Sequence, residues 1–465
     1  MAIQSVNPAT GKVVEVFEPT SPAELERAVS GAHAAFLEWR RVPIQERAVP
    51  MREAARLLRA RKTDYARTMA LEMGKPVTQG EAEVEKCAMA CEYYAAEAAF
   101  MLAEQPRETD ASRSYVRFDP LGVVLAIMPW NFPFWQVFRF VAPGLMAGNG
   151  GVLKHASNVP RCALQIEEVL QQAGFPNHLF RTVLLESSAV AGLIADPRIA
   201  AATLTGSDHA GSKVAETAGR ELKKTVLELG GSDPFIVLAD ADLISAARAA
   251  ADARLVNGGQ SCIAAKRFIV VESVADRFLD LFKKELGSRR MGDPLSRETQ
   301  VGPQARHDLR DSLHHQVEES RKRGAVVLLG GEIPPGPGAF YPPTLLAAVD
   351  KGMPAFDEET FGPVAAVIRA KDEADAVRLA NDSTFGLGAS LWTRDLKAAE
   401  RLAVQIEAGS VFVNGVVKSD PRLPFGGIKR SGYGRELSEY GIREFVNIKA
   451  VWIAQPGAVE SPTSE

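Results

Sequence analysis

The chain is poor in cysteine, in histidine and in net charge, and each shortage excludes something. Four cysteines occur in 465 residues: Cys87, Cys91, Cys162 and Cys262. That is too few for a disulfide scaffold and fits a reducing compartment, so a cytoplasmic location is expected. Lys and Arg number 54 against 58 Asp and Glu, a net charge of −4, which excludes a nucleic-acid partner drawn by a large positive field. The residues after Met1 show no basic region leading into an apolar run, so no secretory leader is expected. The best uncharged stretch, 120–138, is broken by Pro120, Pro129 and Pro133 and carries Asn131 and Gln136, so no membrane span is predicted. G-x-G-x-x-G is absent. So is the phosphate-loop pattern, because Ser212 displaces Lys213 from its place after Gly211. None of the 7 histidines has metal spacing, and no metal is expected. His314 and His315 read as a solvated pair, and Cys87 and Cys91, four apart on one helical face, as buried thiols.

What is present is ordinary globular material, 46% hydrophobic and 24% charged. At about 150 residues per domain the length predicts three domains or two large ones. Ser21-Pro22-Ala23-Glu24 is a capping box with proline at the first helical position, and Leu25, Ala28, Val29, Ala32 and Phe36 follow at helical spacing. Residues 44–62 and 76–103 also read as helices. From 121 onward short apolar runs at 123–128, 151–154, 181–185, 201–204 and 225–229 alternate with helical patterns at 135–148, 160–173, 187–195 and 208–219. That alternation predicts a parallel sheet with helices on both faces, an α/β fold of Rossmann-like type. A second series follows at 235–238, 268–271, 325–329, 364–369 and 410–413, with Gly230-Gly231 as the boundary. Residues 334–343 read as a surface loop.

Three residues break their local pattern. Cys262 ends Asn257-Gly258-Gly259-Gln260-Ser261-Cys262, a small-residue turn before an apolar strand. It is either a reactive thiol on a loop or a buried structural one. Glu228 interrupts Val226-Leu227-Glu228-Leu229 at the carboxyl end of a strand, where ligands bind in open α/β sheets. It is either a general base with a raised pKa or half of an ion pair. Asn131, held between Pro129 and Pro133, is either a preorganised donor or a satisfier of local turn carbonyls.

Taken together, these residues resemble the aldehyde dehydrogenase superfamily. Seven motifs stand in the family's order: P-W-N-F-P at 129–133, L-K-H-A-S at 153–157, L-T-G-S at 204–207, L-E-L-G-G at 227–231, G-Q-S-C at 259–262, E-E-T-F-G-P at 358–363 and P-F-G-G-I-K-R-S-G at 424–432. The resemblance implies Cys262 as nucleophile, Asn131 with the Cys262 backbone N–H as oxyanion hole, and Glu228 as the base that activates water. It implies cofactor contacts from Trp130, Lys154, Ser157, Gly206, Ser207, Glu359 and Phe361. It also implies a fold with a cofactor-binding part (1–111 and 124–229), a catalytic part (230–415) and a small β element (112–123 and 416–455) that joins subunits into a homodimer or homotetramer. Residues 456–465 remain as a tail.

Specificity rests on fewer residues. Many NAD-preferring members carry glutamate at position 157, and Ser157 removes its repulsion of a 2′-phosphate, so NADP is favoured over NAD. The chain looks closest to compact bacterial succinate-semialdehyde dehydrogenases. Arg139 matches an anion-binding arginine of that group and Ser419 is a candidate donor to the same carboxylate, but position 256, where some members have a second arginine, is Val256. Phe132, Trp135 and Phe425 could instead line a tunnel for uncharged aliphatic or aromatic aldehydes. A reading of a different class is a thiol esterase that uses Cys262 and Glu228 without nucleotide. Glu444–Ile448 reads as a strand that pairs across a subunit interface.

Overall fold

Helix ends and strand ends place the site. In a computed structural model, which describes residues 2–456, the Ser21 box forms as expected. Ser21 Oγ accepts from Glu24 N at 3.3 Å and Glu24 accepts from Ser21 N at 2.8 Å, opening the helix Pro22–Trp39. The region expected as two helices holds three: Ile44–Ala60, Lys62–Met73 and Val77–Met101. Gly74, at φ 78°, closes the middle one with the left-handed turn that favours glycine.

The first sheet runs in the order Gly432–Tyr433, Lys224–Glu228, Ile199–Thr205, Val123–Met128, Gly150–His155, Phe180–Thr182. The last five strands are parallel, as the alternation predicts. The chain order reverses at Val123–Met128, which pairs with Gly150–His155 on one side and Ile199–Thr205 on the other. Such a switch point opens a crevice beyond the strands' carboxyl ends. Asn131, Ser157, Ser207 and Gly230 all follow directly on those ends.

The second sheet has seven strands, with Thr344–Ala347, Val364–Ala370, Arg267–Val271, Pro234–Val237, Gly388–Trp392 and Ser410–Val413 parallel in that order. Two of these, 344–347 and 388–392, are absent from the sequence reading. Val326–Leu329, expected in the parallel series, pairs antiparallel at the edge. The segment after it contains no helix to carry the chain back, so the strand returns as a hairpin. Of residues 334–343, expected as a surface loop, only 335–337 are exposed; from Gly338 the segment is largely buried, with Ala339 N donating to Pro8 O at 2.8 Å.

A three-stranded sheet completes the fold. Val446–Ile453 pairs with Arg113–Pro120 over its whole length, Val446 opposite Pro120 and Ile453 opposite Arg113. The strand expected near 444–448 thus begins at Val446 and pairs within its own chain. Only this end of 416–455 joins the projecting sheet; Ser419, Phe425 and Glu436 pack against the site. The tail expected at 456–465 lies outside the described residues beyond 456. Among the described residues no helix is long and apolar enough to cross a membrane.

Two buried carboxylates aim the helices behind the site. Glu83 accepts from the backbone N–H groups of Phe134 (2.9 Å) and Trp135 (3.0 Å), at the N-terminus of Trp135–Ala147. Glu72 does the same for Arg161 and Cys162, both at 3.0 Å, at the start of Pro160–Gln172. A helix N-terminus has free N–H donors and a positive dipole end, so a carboxylate from another helix satisfies both. Lys75, wholly buried, pairs with Glu83 and sits 3.8 Å from the centre of the Phe132 ring.

Candidate active site

The loop that carries Cys262 is built on left-handed backbone. Asn257, Gly258 and Gly259 have φ of 52°, 62° and 77° in succession. A side chain at 259 would strike the Gly362 carbonyl, its Cβ landing 2.2 Å from that oxygen. The glycine is therefore required by the packing of two loops. Arg254, wholly buried, donates to Gly259 O at 2.8 Å, and Lys266 Nζ donates to Ser261 O (3.0 Å) and Cys262 O (2.8 Å). Three backbone carbonyls around the thiol are thus held by two buried cations.

The same loop is stapled to the Asn131 loop. Asn131 Nδ2 donates to Gln260 O at 3.1 Å, and Asn257 Nδ2 donates to Asn131 O (2.6 Å) and Gln260 O (3.1 Å). One N–H of the Asn131 amide is engaged and the other is left for a ligand. His155 fixes the other side of the loop. Its Nδ1 accepts from Ala156 N at 2.8 Å, so the proton lies on Nε2, which donates to Pro133 O at 2.9 Å. Burial pushes this imidazole down to about 4, and it stays neutral.

Cys262 is partly exposed, and desolvation pushes its thiol up to about 12 against the pull of Arg139 and Lys266. Glu228 is 2% exposed, and neither carboxyl oxygen has a hydrogen-bond partner among the described residues. Desolvation first, and then the neighbouring Glu436, hold it well above the usual carboxylate range. Its neighbour Arg139 is an ion-pair partner of Glu436, at 2.6 Å. Burial raises the pKa of Glu436 as well, against the pull of Arg139.

The expected cofactor residues gather at the switch-point crevice. Lys154 is 7% exposed and has no hydrogen-bond or ion-pair partner among the described residues; burial lowers its pKa. A buried ammonium without a partner fits a ligand that brings oxygens to it. Ser157 lines a cleft of about 540 Å³ together with Asn158, Glu186, Arg306 and His307. Trp130 meets Phe361 edge to face, centroids 5.8 Å apart. Glu359 accepts from Gly231 N at 3.1 Å and pairs with Lys266 at 3.3 Å. A Cβ on Gly230 would lie 2.5 Å from Glu359 Oε2, so that glycine admits the carboxylate. Ser207 caps the helix Asp208–Arg220, accepting from Ala210 N at 3.2 Å, and Gly206 N donates to Glu228 O at 3.0 Å. These residues fit a dinucleotide laid across the strand ends.

The expected substrate residues divide. Phe132 and Trp135 line a second cleft, of about 440 Å³, along with Leu255, Val256 and Lys86. Ser419 accepts from Trp135 Nε1 at 3.0 Å and Lys86 Nζ at 2.6 Å. Arg139 and Phe425 do not join them. Arg139 is 2% exposed, paired with Glu436, and stacked 4.6 Å from the Phe425 ring, which is itself buried. The expected substrate arginine is engaged inside the protein, and the expected tunnel aromatic is its packing partner. Elsewhere, Cys87 and Cys91 are wholly buried as expected. His314 is not simply solvated, since Nδ1 lies 3.2 Å from the Tyr341 hydroxyl.

Sequence reasoning missed Lys86, Asn257, Lys266 and Glu436. Asn257-Gly258 carried a signal, because Asn-Gly favours left-handed turns. Lys86 and Glu436 carried none, since a lysine on a long helix and a glutamate beside an arginine read as surface.

A thiol on a strained loop, an amide clamped to it, a buried carboxyl and a dinucleotide crevice between two α/β lobes define an oxidoreductase that works through a cysteine. The chain belongs to the aldehyde dehydrogenase family, whose model matches residues 1–451. It is 52% identical over 454 residues to the "Probable succinate-semialdehyde dehydrogenase" of Synechocystis sp., an NADP(+) enzyme by name, covering 98% of this chain and 100% of that one. It is 50% identical over 457 residues to "Succinate-semialdehyde dehydrogenase 1" of Mycobacterium tuberculosis, also NADP(+) by name, with coverage of 98% and 100%. The crystal structure of succinic semialdehyde dehydrogenase from Streptococcus pyogenes with NADP+ superposes with a TM-score of 0.95 at 38% identity, covering 98% and 100%. The expected family and α/β fold are thus confirmed.

Proposed function

We propose that the protein oxidises succinic semialdehyde to succinate with NADP, through a thioester on Cys262. The observation that carries the chemistry is the staple between Asn131 and the Cys262 loop through the Gln260 carbonyl. It holds an amide donor beside a thiol, the arrangement a tetrahedral oxyanion needs. The names of the relatives support the substrate and cofactor. So do Ser157, which offers a hydroxyl where an acidic side chain would repel a phosphate, and the unpartnered Lys154.

The residues then divide the work. Cys262 gives up its thiol proton to water as Sγ bonds to the aldehyde carbon, and the carbonyl oxygen takes the free Asn131 N–H and the Cys262 backbone N–H. A bound nicotinamide supplies the hydride acceptor. With hydride gone the carbon–oxygen double bond reforms and Cys262 carries a thioester. Glu228, once ionised, takes a proton from water, whose oxygen attacks the thioester carbon and expels the Cys262 thiolate. Lys266 and Arg254 keep the loop carbonyls in place throughout, and Trp130 and Phe361 flank the crevice.

The proposed division is a cofactor part (1–111 and 124–229), a catalytic part (230–415) and a bridging element, to which 112–123 and, of the expected 416–455, the strand Val446–Ile453 contribute. Ile448 and Trp452, 63% and 55% exposed on its outer strand, support burial against a second copy in a homodimer or homotetramer. Four unpaired cysteines support a cytoplasmic setting.

The test crosses an aldehyde panel with both cofactors and follows reduced-nicotinamide absorbance. Succinic semialdehyde with NADP should give the highest kcat/KM. Equal values for succinic semialdehyde, butanal and benzaldehyde would overturn the substrate assignment.

A further inference from the structure

We propose that Lys86 is the cation of a carboxylate-binding subsite, formed with the Ser419 hydroxyl that Trp135 holds in place, that selects aldehydes bearing a second, anionic end. The proposal deepens the substrate reading above and rests on it.

Lys86 lies on the helix Val77–Met101 and faces the cleft of about 440 Å³. Its Nζ is 2.6 Å from Ser419 Oγ and 4.3 Å from the centre of the Trp135 ring. Neither is a counter-ion. The other cations lining that cleft are neutralised: Arg289 by Asp252 at 2.9 Å, and Arg297 by Glu81 through two bonds of 2.9 and 3.0 Å. Lys86 has no ion pair among the described residues. Val256 in the same lining brings no charge, and Arg139 is held by Glu436.

An ammonium withdrawn from water beside a hydroxyl and a ring is incomplete without an anion. Ser419 strengthens the argument. Its oxygen accepts from Lys86 and from Trp135 Nε1, so its own hydroxyl proton is free to donate. Lys86 and Ser419 thus leave donors and a positive charge at one spot, with the Trp135 N–H engaged by Ser419. The cleft borders both loops that carry the reacting groups, because Phe132 adjoins Asn131 in the chain, and Leu255 and Val256 lead into the loop of Cys262.

Desolvation pushes Lys86 down to about 8. The charged and titratable groups around it are Arg139 from the helix Trp135–Ala147, Glu83 and Cys87 on its own helix, and Asp420 beside Ser419; desolvation and Arg139 lower its pKa, and the other three raise it. Above about pH 8 the free subsite loses its charge, so KM for a carboxylate substrate should rise there.

The experiment compares wild type, Lys86→Met and Lys86→Arg on succinic semialdehyde and butanal, with NADP binding and melting temperature checking the fold. In Lys86→Met the ratio of kcat/KM for succinic semialdehyde over butanal should fall about 10- to 100-fold, the size of a lost charge-assisted hydrogen bond, mainly through KM. Lys86→Arg should restore the ratio and abolish the rise of KM above pH 8. A wild-type preference for the acid aldehyde that survives intact in Lys86→Met overturns the role of Lys86 and leaves the substrate reading standing. A wild type with no preference overturns the substrate reading itself.

Discussion

Arg139 Nε meets Glu436 Oε2 at 2.6 Å, with 2% and 5% of the two side chains exposed, beside the buried Glu228. Burial raises the pKa of both carboxyls, the arginine opposes that rise at each, and Glu436 pushes Glu228 further up. Glu436→Gln removes the like charge and frees the guanidinium, and both changes lower the Glu228 pKa. The acid limb of the kcat–pH profile should move to lower pH by about one unit, roughly tenfold in rate at a fixed pH on that limb. An unchanged profile would separate Glu228 from the pair.

Glu228→Gln should give a burst of reduced nicotinamide and then stall, because the thioester persists. Cys262→Ala, by contrast, should give no burst while still binding cofactor. Steady turnover at the wild-type rate in Glu228→Gln would assign the base elsewhere. The same variant should gain stability. Glu228 has a raised pKa in the fold, so the native state holds a proton the unfolded chain releases above about pH 4.3. Native stability therefore declines as pH rises from there toward the folded pKa, and the neutral amide escapes that loss. The gain in melting temperature over wild type should be larger at pH 8 than at pH 5.

Histidine 155 should act with the opposite sign. Its folded pKa is about 4, against an ordinary value near 6.5. Its contribution is full above 6.5 and is lost as pH falls toward 4, up to about 3 kcal/mol. Denaturant melts of wild type and His155→Gln should differ in slope across that window. Parallel slopes would remove His155 from the acid response.

Ser157→Glu places a carboxylate in the cleft beside Asn158 and should repel a 2′-phosphate. The ratio of kcat/KM for NADP over NAD should fall by about 10- to 100-fold. An unchanged ratio would mean that residue 157 does not face the phosphate.

Much of this molecule can be read locally. The Ser21 capping box, the strands at 123–128 and 225–229 and the small-residue turn before Cys262 follow from a few adjacent residues, because capping, alternation and left-handed turns are short-range effects. Asn131 and Glu228 also stood out, as polar residues set where an apolar run or a proline-locked loop gave them no local purpose. The antiparallel edge at Val326–Leu329 and the strands 344–347 and 388–392 did not, since their place depends on which neighbours the sheet offers.

Fold class, the two-lobed order of elements and a candidate thiol are legible in the chain itself, because these rest on periodicity and on groups whose chemistry is scarce there. Which charges remain available depends on packing between distant segments. Arg139 had the better credentials for a substrate anion, yet Glu436, 297 positions away, engages it. Lys86 had none, yet the fold brings it to Ser419, a neighbour separated by 333 positions, and supplies no ion-pair partner among the described residues. Charge is a property of a residue, but free charge is a property of its surroundings, and those are assembled from distant parts of the chain.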